Sequence, residues 1–370
     1  MAFFGVTIET IMEVAKHPQA DRLDICRLEG IDFQFIVGIN NYKVGDTILY
    51  FPVDSLLPVD LMRKMDLIKK DESGNEMFDE NGVPNTMLSG KQKNRIRTVK
   101  LRKEISQGLV GNLSLIDGLD ERTPEAITAF LGVEKYEPES VLIKGAKLVH
   151  LPPFLSMYDI EGADRFVEVA QLMMNMNVYI TEKLEGMNAS FSYVPSDDKF
   201  YVNQRNFSII PDNVEVTHTF WKVAEEQGIF NLLKQIANSP MAHALVGNVT
   251  DITLYGEMIG PGIQKNIYGL KKHEVRIFDF KLNGHFVGVD FYLAFAQPMA
   301  NFIVPELAYD ITLEKWLNGQ SIKDVSNGKS VLANRSREGI VIKPMLESCH
   351  NDIGRLILKQ RSPEYLSKED

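Results

Sequence analysis

From residue 179 onward, β-leaning apolar runs repeatedly stop on a charged side chain beside a glycine or a second charge. In chain order the six stops are Lys183-Leu184-Glu185-Gly186, Gln204-Arg205-Asn206-Phe207, Leu254-Tyr255-Gly256-Glu257, Val275-Arg276-Ile277-Phe278-Asp279-Phe280, Arg337-Glu338-Gly339 and Leu358-Lys359-Gln360-Arg361. Strands that end this way carry charge to a sheet rim, and a neighbouring glycine permits a tight bend. Any one stop also suits an exposed turn with a solvated charge. Six in succession are harder to read that way: they suggest a rim that gathers a lysine, several carboxylates and further cations.

That set has a chemistry. A lysine is a nucleophile only when its amine is kept deprotonated, by burial or by a nearby cation. With cations to neutralise phosphate charge and carboxylates to hold hydrated Mg²⁺ or Mn²⁺, such a lysine suits nucleotidyl transfer at an α-phosphorus.

The first part of the chain reads differently. Short runs at Gly5–Met12, Leu23–Leu28, Phe33–Val37 and Asp46–Tyr50 are separated by turn signals, the pattern of a small antiparallel barrel. A short helix is expected at Val59–Lys69, followed by an acidic, Gly/Asn-rich insertion over 71–85 expected to be mobile. The charge then reverses. Lys91, Lys93, Arg95, Arg97, Lys100, Arg102 and Lys103 crowd one β-leaning segment without alternating cleanly with apolar residues. A phosphate-contacting strip and a lysine-guarded edge strand both fit it.

A chain of 370 residues is long for one core, so two domains are expected, at 1–145 and 146–370. Helical periodicity over Val216–Gln227 and Ile229–Asn238 turns Phe220, Val223, Ala224, Leu232, Leu233 and Ile236 towards a core, and Trp221 reads as packing. A net charge of −10 argues against a uniformly basic coat and leaves room for a local basic groove. Two distant cysteines offer neither a disulfide framework nor a zinc cluster, and no run has transmembrane length or signal-peptide form. A cytoplasmic protein without a membrane partner is expected. Monomer is the default.

The order of the six runs resembles the nucleotidyltransferase motifs of the covalent nucleotidyltransferase superfamily of DNA ligases, RNA ligases and capping enzymes. Thr181-Glu182-Lys183-Leu184-Glu185-Gly186 looks like the first motif of nick-sealing RNA ligases. His17-Pro18-Gln19-Ala20-Asp21-Arg22-Leu23 resembles the strand connection of tRNA-binding OB-fold modules, although an ordinary polar loop reads the same way. A barrel ahead of the catalytic region, and a chain ending soon after Lys359, are similar to the Deinococcus/Naegleria-type RNA ligases. The fold the resemblance implies is α+β: an N-terminal OB-like β-barrel, then a nucleotidyltransferase domain of ATP-grasp-like antiparallel sheets with flanking helices.

The resemblance also implies roles. Lys183 would attack ATP and carry AMP, with Lys359 and Glu338 completing the catalytic set. Glu185, Glu257 and Glu338 would hold the metal, and Glu257 could instead contact the ribose. Glu182 would meet the adenine amino group, and Phe278 would stack on the base unless it is a core aromatic. Arg205, Lys343, Lys359 and Arg361 would face phosphate, and Lys93, Arg95, Arg97, Lys100 and Arg102 would grip nicked RNA or an RNA-containing duplex. Two departures stand out: Arg361 replaces the second lysine of the last motif, and Glu185 stands where many relatives have aspartate. A DNA ligase, or a non-catalytic OB-fold nucleic-acid-binding protein, remains the alternative.

Overall fold

The computed structural model describes residues 3–88, 94–136, 146–211 and 218–367, and the chain divides into two compact units. One comprises residues 3–139 with Asp164–Glu168, and the other comprises Ser140–Ala163 with Val169–Tyr365.

In the first unit, five antiparallel strands form a sheet: β1 (Thr7–Lys16), β2 (Leu23–Leu28), β3 (Ile31–Gly38), β4 (Thr47–Phe51) and, after the hairpin β5 (Val99–Leu101) and β6 (Glu104–Ser106), β7 (Leu109–Gly111), in the order β3–β2–β1–β4–β7. Strand β1 makes the sheet curl. Its first half pairs with β4 (Thr7↔Tyr50), its second with β2 (Lys16↔Asp24), and the register shifts between Ile11 and Glu13. Strand β4 is buried on both faces. Ile48 and Tyr50 join a cluster with Ile11, Cys26, Leu28 and Phe35, while Leu49 and Phe51 join a second with Leu61, Ile116 and Ile127. Alternation with period two places those pairs on opposite faces.

Two expectations are corrected here. The helix from Val59 runs only to Lys64, because Met65 caps it at φ −90°, ψ 4° and Asp66 takes φ 54°. The acidic insertion is ordered: Asp71 Oδ1 accepts from the Ser73 and Asn75 amides, and Asp79 Oδ1 from those of Asn81 and Val83, closing two successive turns.

The second unit holds two sheets. A seven-stranded sheet contains β8 (Ala146–His150), β11 (Met187–Val194), β12 (Lys199–Gln204), β13 (Phe207–Pro211), β14 (Ile252–Ile259), β15 (Glu274–Leu282) and β16 (His285–Phe286). Its order is β8–β13–β12–β11–β14–β15–β16. A five-stranded sheet contains β9 (Glu161–Gly162), β10 (Asn177–Lys183), β17 (Glu306–Thr312), β18 (Gly339–Pro344) and β19 (Leu358–Arg361), ordered β9–β19–β18–β10–β17. Helices Thr219–Glu226 and Ile229–Ala237 bury Phe220, Val223, Ala224, Leu232, Leu233 and Ile236 against Phe191, Val202, Leu254 and Val275. Full burial of a large apolar side chain stabilises by about 1.5–3 kcal/mol, so this face can hold the helices in place. Trp221 packs there too, donating from Nε1 to the Ile209 carbonyl at 2.9 Å.

Candidate active site

Strand register assembles the site. Lys183, the last residue of β10, lies opposite Gly339 of β18, and Gly339 lies opposite Arg361 of β19. Directly opposed residues share a face, and so do residues two apart on one strand. Lys183, Arg361 and Lys359 therefore project to the same side. Gly339 leaves the middle of the row empty. A Cβ there would stand 2.1 Å from the Gln360 carbonyl oxygen, so only glycine permits the close approach of β18 and β19. Glu338, just before it, fills the gap, and Lys183 Nζ donates to Glu338 Oε1 at 2.7 Å. The Arg361 Nε lies 3.7 Å from the same oxygen.

The turn after Lys183 is anchored by packing. Leu184 is buried with Ile259, Tyr268 and Val304. Gly186 passes so close to β14 that a Cβ would lie 2.5 Å from the Met258 carbonyl oxygen. Strand β11 then sets Asn188 opposite Glu257, which brings a second carboxylate into the field of Lys183 and Glu338.

The electrostatics follow from this crowding. Burial pushes the Glu257 carboxyl up to about 8; Glu338 adds to the rise, while Lys183 and Arg205 oppose it. Lys359 is pushed down to about 8 by burial and by the positive charges of Lys183 and Arg361. Arg205, directly after β12, pairs with Asp159 and keeps 41% of its side chain exposed.

Glu182 is 1% exposed, and burial raises its carboxyl. Its Oε2 accepts from the Val331 amide at 2.8 Å, and among the described residues Oε1 has no partner. Phe278 is half-buried against the Leu184 cluster, with its ring centroid 4.9 Å from that of Tyr158.

Other expected residues are placed elsewhere. Lys343 is buried on Asp279, with Nζ 3.2 Å from Oδ1 and 3.3 Å from the Phe278 carbonyl oxygen. The expectation that it faces phosphate is corrected: a buried ammonium needs a buried counter-charge, and Asp279 supplies it. The same Asp279, wholly buried, accepts from Tyr158 Oη at 2.7 Å and Arg355 Nη1 at 2.6 Å. Glu185 is also engaged. Its Oε1 accepts from the Lys265 amide at 3.0 Å and its Oε2 from Tyr365 Oη at 2.6 Å. Among the described residues, no three carboxylate, histidine or cysteine side chains converge as a metal-ligand group, so Glu185, Glu257 and Glu338 do not form one set. Glu257 and Glu338 by themselves, two coupled oxygen donors beside Lys183, fit a hydrated divalent cation held partly through water.

Tyr158, Asp159, Asp279 and Arg355 were missed by sequence reasoning. Asp279 and Arg355 had a signal, standing within or just before the charged runs. Asp159 had none.

In the first unit, the basic strip is a hairpin with an approach, where a single segment was expected. Arg95 pairs with Asp54 and lies 3.7 Å over the Tyr136 ring, so its charge is used internally. Lys100 and Arg102 are exposed, Arg97 is half-buried, and Lys91 and Lys93 lie outside the described residues.

Comparison with known proteins fits this architecture. The RNA ligase family model matches residues 176–361, half of the chain, and includes Lys183, Glu257, Glu338 and Lys359. The chain belongs to the RNA ligase family. An OB-fold domain model matches residues 5–113 of the curled-sheet unit. Among solved structures, Naegleria gruberi RNA ligase with PPi is 24% identical at a TM-score of 0.74, with 99% of each chain covered. A variant of that enzyme with ATP and Mn is 23% identical at 0.72, with 98% of each covered. At these identities the likeness is one of fold: α+β, with an OB domain before a nucleotidyltransferase domain. A phenylalanine–tRNA ligase beta subunit from Bdellovibrio bacteriovorus is 39% identical over 59 residues, and the match spans 7% of that protein. No helix among the described residues is long and apolar enough to cross a membrane.

Proposed function

We propose that this member of the RNA ligase family is an ATP-dependent enzyme that seals 3′-hydroxyl/5′-phosphate nicks in RNA. The observation that carries the reading is the row Lys183–Glu338–Arg361 with Lys359 and Glu257 beside it: two lysine amines, one guanidinium and two carboxylates on one rim.

Lys183 loses a proton, with Glu338 Oε1 at 2.7 Å to receive it, and Nζ attacks the α-phosphorus of ATP. The bond from that phosphorus to the bridging oxygen breaks, and pyrophosphate departs carrying the negative charge. Lys359 and Arg361 stabilise that charge, leaving AMP on Lys183 as a phosphoramidate. The unpartnered Oε1 of Glu182 is an acceptor suited to the adenine amino group, and Phe278 offers an aromatic face for the base. A 5′-phosphate oxygen of RNA then attacks the AMP phosphorus and the N–P bond breaks. Last, the neighbouring 3′-hydroxyl attacks the 5′-phosphorus and expels AMP. A divalent cation held by Glu257 and Glu338, Mg²⁺ or Mn²⁺, would neutralise phosphate charge. Arg205 is available to a phosphate. The neighbour solved with ATP and Mn supports this choice of ligands.

The OB unit would hold RNA through its exposed cations. Two unbonded cysteines, Cys26 buried and Cys349 exposed, suit a reducing compartment such as the cytoplasm. Sealing of a nicked RNA duplex with ATP and Mg²⁺ or Mn²⁺ tests the reading. We expect full-length product from a 3′-ribonucleotide nick. Sealing confined to all-DNA nicks would make the chain a DNA ligase, and no sealing of either would leave a binding protein.

A further inference from the structure

The hairpin of β5 and β6 is closed by two residues, Arg102 and Lys103, since Leu101 pairs with Glu104. Both have positive φ, 44° and 78°, as a two-residue turn matched to the twist of its strands requires. Such turns favour Asn-Gly, because a side chain with a Cβ is strained in the left-handed region. Here the two positions hold long cations instead. Both are exposed, as is Lys100, and none of the three has an ion-pair partner among the described residues. Arg95 answers Asp54 within the fold, so among the described residues of the strip the exposed cations are Lys100 and the two of the tip.

The body of the hairpin is held firmly. His17 Nδ1 accepts from the Gln19 amide at 3.1 Å, which makes Nε2 the protonated nitrogen, and Nε2 donates to the Leu101 carbonyl at 3.1 Å. Gln34 Nε2 donates to the Ile105 carbonyl at 2.9 Å, and Ser106 Oγ accepts from the Ile36 amide at 3.0 Å. The strained tip therefore stands on a fixed base and does not collapse onto its own unit. Local strain retained where the surroundings over-determine it marks a functional position.

From this we infer that the Arg102–Lys103 tip is a preorganised contact for the RNA phosphate backbone, kept at a cost in stability. The inference rests on the RNA ligase reading and narrows it: the tip, with Lys103, carries the grip, and Arg95 does not.

The test replaces the tip with its unstrained form, Arg102→Asn/Lys103→Gly, beside Arg102→Ala/Lys103→Ala. Binding of a nicked RNA duplex is measured without ATP across a salt series, together with thermal stability and AMP loading. We expect the Asn-Gly form to melt about 2–4 °C higher for each ~1 kcal/mol of strain relieved. Its salt slope should be shallower by about 1 for each lost phosphate contact, with AMP loading unchanged. The alanine form should show the same loss of slope without the gain in melting temperature. An unchanged slope in both variants, or no gain in stability for Asn-Gly, overturns the inference. Because binding is read without ATP, a chain that binds RNA but never takes up AMP refutes the ligase reading, while the slope still decides the role of the tip.

Discussion

Glu257 carries a carboxyl held up to about 8, against an ordinary value of 4.5. A carboxyl raised in the folded state favours folding while protonated, so its contribution is full below about 4.5 and is lost as pH climbs through 8. The loss is on the order of a few kcal/mol for a shift of this size. Glu257→Gln keeps the shape without the proton. We expect thermal melts of the wild type to fall more steeply between pH 5 and pH 8 than those of the variant, and parallel curves would show that Glu257 ionises as an ordinary carboxylate. Lys359 has the opposite sense: a lysine pushed down to about 8 is charged below that pH, where it opposes folding, and the burden lifts as pH rises from 8 towards 10.5. Near neutrality the rim thus holds a protonated carboxyl and a strained ammonium. Both are poised to respond to an arriving triphosphate and cation.

Strand pairing turns these residues into a site, and the glycines permit the pairing. A Cβ on Gly339 would collide with the backbone oxygen of Gln360, a group that cannot swing aside. Gly339→Ala should therefore push β18 and β19 apart, costing about 1–3 kcal/mol as overpacking does, and displace Glu338 from Lys183. We expect a lower denaturation midpoint and a larger loss of AMP loading than of stability. A variant that loads AMP normally would mean the row tolerates a shift. Part of this was legible in the sequence: Lys183 and Arg361 close their strands, Arg205 and Glu338 flank theirs, and Lys183, Glu338 and Arg361 meet, whereas Glu257, Arg276 and Asp279, expected at strand ends, lie inside β14 and β15, where the chain stays extended past the charge. What could not be read was where each charge would find its partner. Lys343 looked like another phosphate cation, but its strand position buries it on Asp279. Arg95 looked like part of a basic strip, but Asp54, far away in sequence, claims it. The hairpin turn was hidden because Arg and Lys occupy positions where Asn and Gly would have announced it. Ion pairs between distant segments are a property of the fold, and local sequence patterns do not encode them.

Across the whole molecule, the two units divide the task that the proposed activity needs. The OB unit presents a fixed, exposed cationic tip, and the nucleotidyltransferase unit presents the lysine rim. On this proposal an acidic chain, with a formal charge of −10, would hold a polyanion through a few placed cations. The division also separates two kinds of failure, since loss of the tip should spare AMP loading while loss of the rim should spare RNA binding. The rim stands at the centre of the proposal. Incubation of the protein with α-labelled ATP and Mg²⁺ or Mn²⁺, without RNA, followed by denaturing separation, reads it directly. We expect label bound to the wild-type chain, released by acid as a phosphoramidate is, and absent from Lys183→Ala. No label on the wild type, or label that persists in Lys183→Ala, would contradict the assignment of Lys183 as the AMP acceptor.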